Sequence, residues 1–184
     1  VIVGGGYIGL EAASAFNEMG KNICVLEAKD RLLSRVAGTD LSKFYELEHR
    51  DKGVEIRFNA QIESFIGANN EIAEVTLAGG ELLPADLVIL GIGILPVVGP
   101  LIAAGAEGAL GGVKVDEFCR TTLPDVYAVG DCAAHINRFA DAQLIRLESV
   151  QNAHDQATIA VSDVVGDSQP YDTVPWFWSD QYDL

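Results

Sequence analysis

The chain has 184 residues, room for one large or two small domains, and 49% of them are hydrophobic, enough to fill a core. A formal net charge of −15 argues against nucleic acid or an anionic membrane surface as a partner. No apolar run reaches the length of a membrane span without Gly, Pro or charge. Three scattered cysteines, Cys24, Cys119 and Cys132, form no C-x-x-C pair; no dithiol centre or zinc site is visible, and the usage suits a reducing cytoplasm.

The first elements are a short apolar strand at Val1-Ile2-Val3, a glycine turn, and a helix over residues 7–19 closed by Gly20. The turn fits G-x-G-x-x-G, with Gly4, Gly6 and Gly9 in the three slots. Gly4 allows a tight turn out of the strand, Gly6 lets a dinucleotide pyrophosphate approach the backbone, and Gly9 lets helix and strand pack closely. The helix N-terminus offers N–H groups and a positive dipole end to phosphates. A second strand, Ile23 to Leu26, ends at Glu27, about 20 residues beyond the glycines, where an acid accepts hydrogen bonds from a ribose 2′-OH and repels a 2′-phosphate. This favours NAD(H) over NADP(H), although Lys29 and Arg31 close behind could rescue a 2′-phosphate.

After a polar connection over 30–38, Thr39 or Asp40 can cap a second helix that runs to about Asp51. Val54 to Phe58 is a third parallel strand, completing a βαβαβ unit. Three short strands follow, Gln61 to Ile66, Ile72 to Leu77 and Glu81 to Leu83. Asn69-Asn70 and Gly79-Gly80 separate them as turns, which predicts an antiparallel meander. Ala85 to Gly91 is expected to return to the parallel sheet as a buried strand. It leads into Gly91-Ile92-Gly93, which either faces the same crevice as the first turn or is an ordinary strand-ending loop.

A short helix is possible between Val97 and Ala109, and Val113 to Asp116 is a strand. Val126 to Asp131 is expected to be a buried strand whose terminal Asp131 either binds a polyol hydroxyl or caps the next segment. Ser149 can cap a last helix from Val150 to Val165, closed by Gly166; Ser168 to Val174 follows as a linker. His49, His135 and His154 lie apart in contexts that suggest surface positions, and no catalytic triad is visible. The chain begins inside a strand without methionine and ends soon after an aromatic run, so a piece of a longer protein is expected.

Five stretches in this order carry a family resemblance: Val3-Gly4-Gly5-Gly6-Tyr7-Ile8-Gly9-Leu10-Glu11, Gly91-Ile92-Gly93-x-x-Pro96, Tyr127-Ala128-Val129-Gly130-Asp131, Glu148-Ser149-Val150-Gln151-Asn152-Ala153, and Pro175-Trp176-Phe177-Trp178-Ser179-Asp180-Gln181. Together they resemble the FAD-dependent pyridine nucleotide reductases, and more narrowly the ferredoxin or rubredoxin reductase components of bacterial oxygenase systems, of the putidaredoxin reductase type. The last two stretches are the specific ones. The resemblance implies an α/β fold, with a Rossmann-like three-layer NAD-binding domain that carries an antiparallel β-meander (residues 1–96). The returning half of an FAD-binding domain (97–167) and the start of a C-terminal domain (168–184) would follow.

It also implies roles. Gly4, Gly6 and Gly9, with Ile8 in the same turn, would cradle the NADH pyrophosphate, and Glu27 would hold the adenosine ribose. Gly91 and Gly93 would border the crevice. Glu11 would sit near the nicotinamide carboxamide or else on the helix surface, and Tyr7 would cover that pocket or pack on the sheet. Asp131 would bind the FAD ribityl chain, and Val150 would offer a backbone N–H to the flavin. Trp176 or Trp178 would lie at the flavin edge where an iron–sulfur partner docks, or anchor a core. Val97 departs from the Asn often found after the loop proline. The implied activity is hydride transfer from NADH to FAD, then electron transfer to a ferredoxin or rubredoxin. An NADH oxidase or disulfide reductase, or a non-catalytic NAD-binding sensor, is the rival reading.

Overall fold

The computed structural model describes all 184 residues and divides them into two compact units, Val1–Gly93 with Ser179–Leu184, and Ile94–Trp178. In the first unit, β1 (Ile2–Val3), α1 (Tyr7–Glu18), β2 (Cys24–Leu26), α2 (Thr39–Asp51) and β3 (Glu55–Arg57) form the expected βαβαβ run. Next come β4 (Ile62–Ala68), β5 (Glu71–Leu77), β6 (Leu82–Pro84) and β7 (Ile89–Leu90). The main sheet is parallel in the order β3-β2-β1-β7, with Ile2 opposite both Val25 and Ile89.

Alternation along these strands builds three layers, because successive side chains leave opposite faces of a strand. Ile2, Val25 and Ile56 join Leu10, Ala13, Leu32 and Leu33 in the core on the helical side. Leu26 and the partly buried Cys24 point the other way, onto Val75, Leu77 and Leu83 of the meander. The meander pairs antiparallel in the order β4-β5-β6. Its turns have positive φ at all four expected positions, Asn69, Asn70, Gly79 and Gly80. Gly38, not Thr39 or Asp40, stands at the α2 N-cap, and no side chain caps that end.

Two expectations about buried strands are corrected. Only Ile89 and Leu90 of the apolar run after Ala85 pair with the sheet; β7 is an edge strand, so Leu87 and Leu90 remain 50% and 58% exposed. Val126–Asp131 is not a strand. A single bridge joins Tyr127 to Arg120, and Gly130, at φ +71°, turns the chain into a 3-10 turn over Gly130–Cys132.

The second unit contains α3 (Gly99–Ala103), β8 (Gly108–Ala109), β9 (Gly112–Lys114), β10 (Ala133–Asn137), β11 (Gln143–Arg146) and α4 (Val150–Val164). Its sheet runs β11-β10-β9-β8, with only the β9–β10 pair parallel. Ser149 caps α4 as expected, its side chain accepting from Asn152 N at 3.2 Å. The buried face of α4 is largely polar, with Gln151, Asn152, Gln156 and Asp163 all under 9% exposed. Each finds partners, as buried polar groups must. Gln156 accepts from Gly130 N and donates to His135 Nδ1, and Asn152 donates to Leu147 O. The 168–174 stretch is tied down rather than a free linker: Ser168 donates to Asp163, and Tyr171 donates to Asn152 while its ring packs on His135. His49 and His135 are buried, at 0% and 3% exposure, against the expected surface positions; Gln181 and Tyr182 beside His49, and Gln156 of α4 beside His135, supply the partners that make this tolerable.

At the β1–α1 crossing, a Cβ on Gly9 would lie 2.0 Å from the Gly4 carbonyl oxygen, which no side chain can occupy. Gly9→Ala should therefore cost stability at the upper end of the roughly 1–3 kcal/mol typical of overpacking. Gly6, with nothing nearer than 4.0 Å, should tolerate alanine far better. Urea denaturation of the two variants checks this, and equal costs would contradict the crossing as described. In the second unit, Arg120 above all, then the Ser168 and Tyr127 hydroxyls, hold the Asp163 carboxylate well below the usual range. A depressed carboxylate contributes stability above its unfolded value near about 4 and loses it as pH falls further. Asp163→Asn should therefore destabilise at pH 7, with a deficit that shrinks as pH drops below about 4; acid titrations followed by circular dichroism read this out.

Candidate dinucleotide site

The glycine turn owes each of its three slots to a different contact. Gly4 has φ +104°, and a Cβ there would meet the Gly91 carbonyl oxygen at 2.4 Å. Gly9 is closed by the Gly4 carbonyl. Gly6 has ordinary extended backbone, φ −84° and ψ −178°, and no protein atom closer than 4.0 Å to a built Cβ. Neither strain nor protein crowding demands glycine at position 6, and a side chain there would fill the space above the turn. Backbone bonds hold the strand ends in place: Gly4 N donates to Leu26 O and Gly91 N to Val3 O, at 2.8 and 2.7 Å. Gly4, Gly6, Gly9 and Gly91 are thus brought together at the carboxyl ends of β1 and β7.

Glu27 is fixed before any ligand arrives. Its two carboxylate oxygens accept from Gly5 N and from Lys29 N, each at 2.7 Å. This ties the acid at the end of β2 to the middle of the glycine turn. Each oxygen keeps a further lone-pair site for a hydroxyl donor. Arg31 is committed elsewhere, donating to Ala37 O, Ser34 O and Ser42 Oγ. Of the two cations close behind Glu27, only Lys29 is left without such anchoring of its side chain.

The other residues expected in this unit are placed as follows. Tyr7 packs against the helical-side core, and burial first, then neighbouring Tyr45, raises its phenol above the ordinary value. Ile8 is 66% exposed on the first turn of α1. Glu11, one turn further on, accepts a hydrogen bond from Ser179 at 2.7 Å. Gly93 has φ +97°, and the Arg35 guanidinium lies 3.2 Å from where its Cβ would be. Arg35 was not singled out by the sequence, where it is one more polar residue in the 30–38 connection.

In the second unit, Asp131 is exposed on the 3-10 turn, and its backbone carbonyl accepts from Arg146. A Cβ on Gly130 would meet the Ala153 side chain at 3.0 Å, which sets this turn against the first turns of α4. Val150 opens α4 and is 67% exposed. The Trp176 N–H donates to Gln151 Oε1 at 3.3 Å, and the Trp176 and Trp178 rings pack 5.4 Å apart. Both indoles are about half exposed, 56% and 51%, so neither anchors a core. Within this unit an acid, a helix N-terminus and an aromatic pair therefore gather around the start of α4. These features fit a flavin nucleotide: a carboxylate for its hydroxyls, and a positive dipole end for negative charge on its reduced ring. The open Gly6 and the tethered Glu27 fit a dinucleotide in the first unit.

Cys24 and Cys119 are not poised for thiol chemistry. Burial above all pushes Cys24 up to about 11 and Cys119 up to about 12, and all three cysteines are unpaired. No group of three or more His, Cys, Asp or Glu residues is arranged to hold a metal ion. No helix is long and apolar enough to cross a membrane. Two surface clefts lie away from the glycine turn, one along Phe58 and Leu77, the other along the 120–127 stretch beside Asp163 and Val164.

Known proteins resemble the chain along its whole length. The ferredoxin reductase subunit of 5,5′-dehydrodivanillate O-demethylase from a Sphingobium species is 56% identical over the whole chain, which covers 44% of that protein. A rubredoxin–NAD(+) reductase of Pseudomonas putida is 39% identical over 98% of the chain and 46% of its own length. Among solved structures, the covalent putidaredoxin reductase–putidaredoxin complex matches with a TM-score of 0.92 at 38% identity, over 99% of this chain and 44% of that one. The chain therefore spans a little under half the length of these relatives. The family model described as pyridine nucleotide-disulphide oxidoreductase matches residues 1–157. The chain belongs to the pyridine nucleotide-disulphide oxidoreductase family.

Proposed function

We propose that this chain supplies the NADH site, and part of the FAD site, of a flavoprotein reductase that passes electrons to a small iron–sulfur or rubredoxin-type protein. The observation that carries the reading is the glycine turn: crowding accounts for Gly4 and Gly9, while Gly6, at the α1 N-cap, leaves open the space through which a pyrophosphate would approach the backbone. NADH rather than NADPH is the donor. Glu27 repels a 2′-phosphate, and the nearby Arg31 guanidinium is spent on the carbonyls of Ser34 and Ala37 and on Ser42 Oγ of α2.

The residues then have these tasks. The Gly4–Gly9 turn and the start of α1 hold the pyrophosphate, Glu27 orients the adenosine ribose, and Glu11 lies toward the nicotinamide end. Asp131 binds flavin hydroxyls, and the first turn of α4 at Val150 stabilises negative charge on the flavin. Trp178 lies on the side from which the redox partner is served. Bound FAD would supply hydride acceptance and release of single electrons, so no side-chain nucleophile or acid–base pair is needed. The raised thiols of partly buried Cys24 and buried Cys119 argue against disulfide exchange at those two cysteines. The relatives named as ferredoxin and rubredoxin reductases support the choice of acceptor. Three unpaired cysteines suit a reducing, cytoplasmic setting.

The FAD-loaded holoenzyme, mixed with NADH and a ferredoxin or rubredoxin, should reduce the acceptor. Bound FAD without electron transfer to either protein would overturn the reductase reading. Glu27→Ala should lower the ratio of NADH to NADPH affinity by about tenfold or more, the size expected when hydrogen bonds to a charged group are lost. If that ratio of dissociation constants is unchanged, the ribose assignment is wrong.

A further inference from the structure

A line of polar side chains runs from the buried end of α2 to Glu11. Glu11 Oε1 and Ser179 Oγ are 2.7 Å apart, Ser179 Oγ and Gln181 Nε2 2.9 Å, and Gln181 Oε1 and His49 Nε2 2.9 Å. The Tyr182 hydroxyl lies 3.4 Å from His49 Nδ1. All five residues belong to the first unit. His49 and Gln181 are both 0% exposed.

The charge at one end dictates the direction of every bond. A carboxylate only accepts, so Ser179 must donate to Glu11. The Ser179 oxygen is then left to accept, so Gln181 presents its amide nitrogen to it. The Gln181 carbonyl in turn faces His49, which must carry its proton on Nε2. Nδ1 is then bare and can accept from Tyr182. Burial lowers the His49 pKa, which keeps the ring neutral and suits this single tautomer. The result is a run of donors all aimed at one oxygen of Glu11, and aligned bonds of this kind polarise one another.

We infer that Ser179, backed by Gln181 and His49, is a positioning residue for the nicotinamide end of the donor site: it fixes Oε1 of Glu11 so that Oε2 is presented to the carboxamide N–H2 of the bound nucleotide. The inference rests on the reading of Glu11 given above. Pre-orienting the acceptor lowers the cost of ordering it when the nucleotide binds. The residues that do this lie about 130 or more positions apart in the chain, Glu11 and His49 near its start and Ser179 and Gln181 near its end.

The test measures NAD+ binding to the oxidised holoenzyme by calorimetry, since NAD+ binds without reducing the flavin. Glu11→Ala should weaken binding, and Ser179→Ala, which acts only through Glu11, should weaken it by about fivefold, the size of an ordinary net hydrogen bond. The double variant should bind no worse than Glu11→Ala alone, because the two residues act as one unit. Ser179→Cys, which keeps the shape but replaces a strong donor with a weak one, gives the same comparison should the alanine variant not fold. If the Ser179 variants bind NAD+ normally while Glu11→Ala does not, or if the two losses multiply, the positioning role is overturned and the Glu11 assignment stands. If Glu11→Ala itself binds normally, the Glu11 assignment fails and the inference falls with it.

Discussion

The backbone of Gly9 pressed against the carbonyl of Gly4, and that of Gly4 against Gly91, is the contact on which the first unit depends. It brings α1 down onto the sheet with no room for a side chain between them. It thereby points the start of the helix at the space over Gly6, and it sets β7 beside β1 so that the 91–93 loop borders the same place. Glu27 is drawn in by its bond to Gly5 N. The turn, Glu27 and the 91–93 loop are therefore one construction, in which a change at any glycine moves more than one part.

Much of this was legible in the sequence because it rests on local rules. The three glycine slots, the acid at the end of β2, the Ser149 cap and the Asn69-Asn70 and Gly79-Gly80 turns each carry their own residue signature. Three-layer packing came through the family resemblance, and the structure supplies its basis: Ile2 and Val25 face one core and Leu26 the other. The failures are non-local. Hydrophobic content alone could not tell that β7 would be an edge strand two residues long. The Val126–Val129 run looked like a strand, but Gly130 turns it against α4. The β10–β11 hairpin went unseen because its turn uses Asp141 and Ala142 in left-handed conformations, where Asn-Gly would be the usual signal.

Buried polar groups were the least legible part, since their partners come from distant stretches. His49 looked like a surface residue of a charged helix, and only Gln181 and Tyr182 make its burial sensible. His135 is likewise explained by Gln156, and Asp163 by Arg120, Tyr127 and Ser168. An unsatisfied buried group costs about 1–3 kcal/mol, so such sets hold together or fail together. The same networks lie beneath the residues proposed to meet ligands: the polar face of α4 underlies the Gly130–Cys132 turn that bears Asp131, and the His49–Gln181 pair underlies Glu11.

The central proposal is that the space over Gly6 takes NADH and that this nucleotide reduces the bound flavin. The direct measurement is the visible spectrum of the FAD-loaded protein, without oxygen, on addition of one equivalent of NADH. The account predicts that the flavin band bleaches with NADH and far more slowly with NADPH. A band that persists while NADH is bound would contradict it.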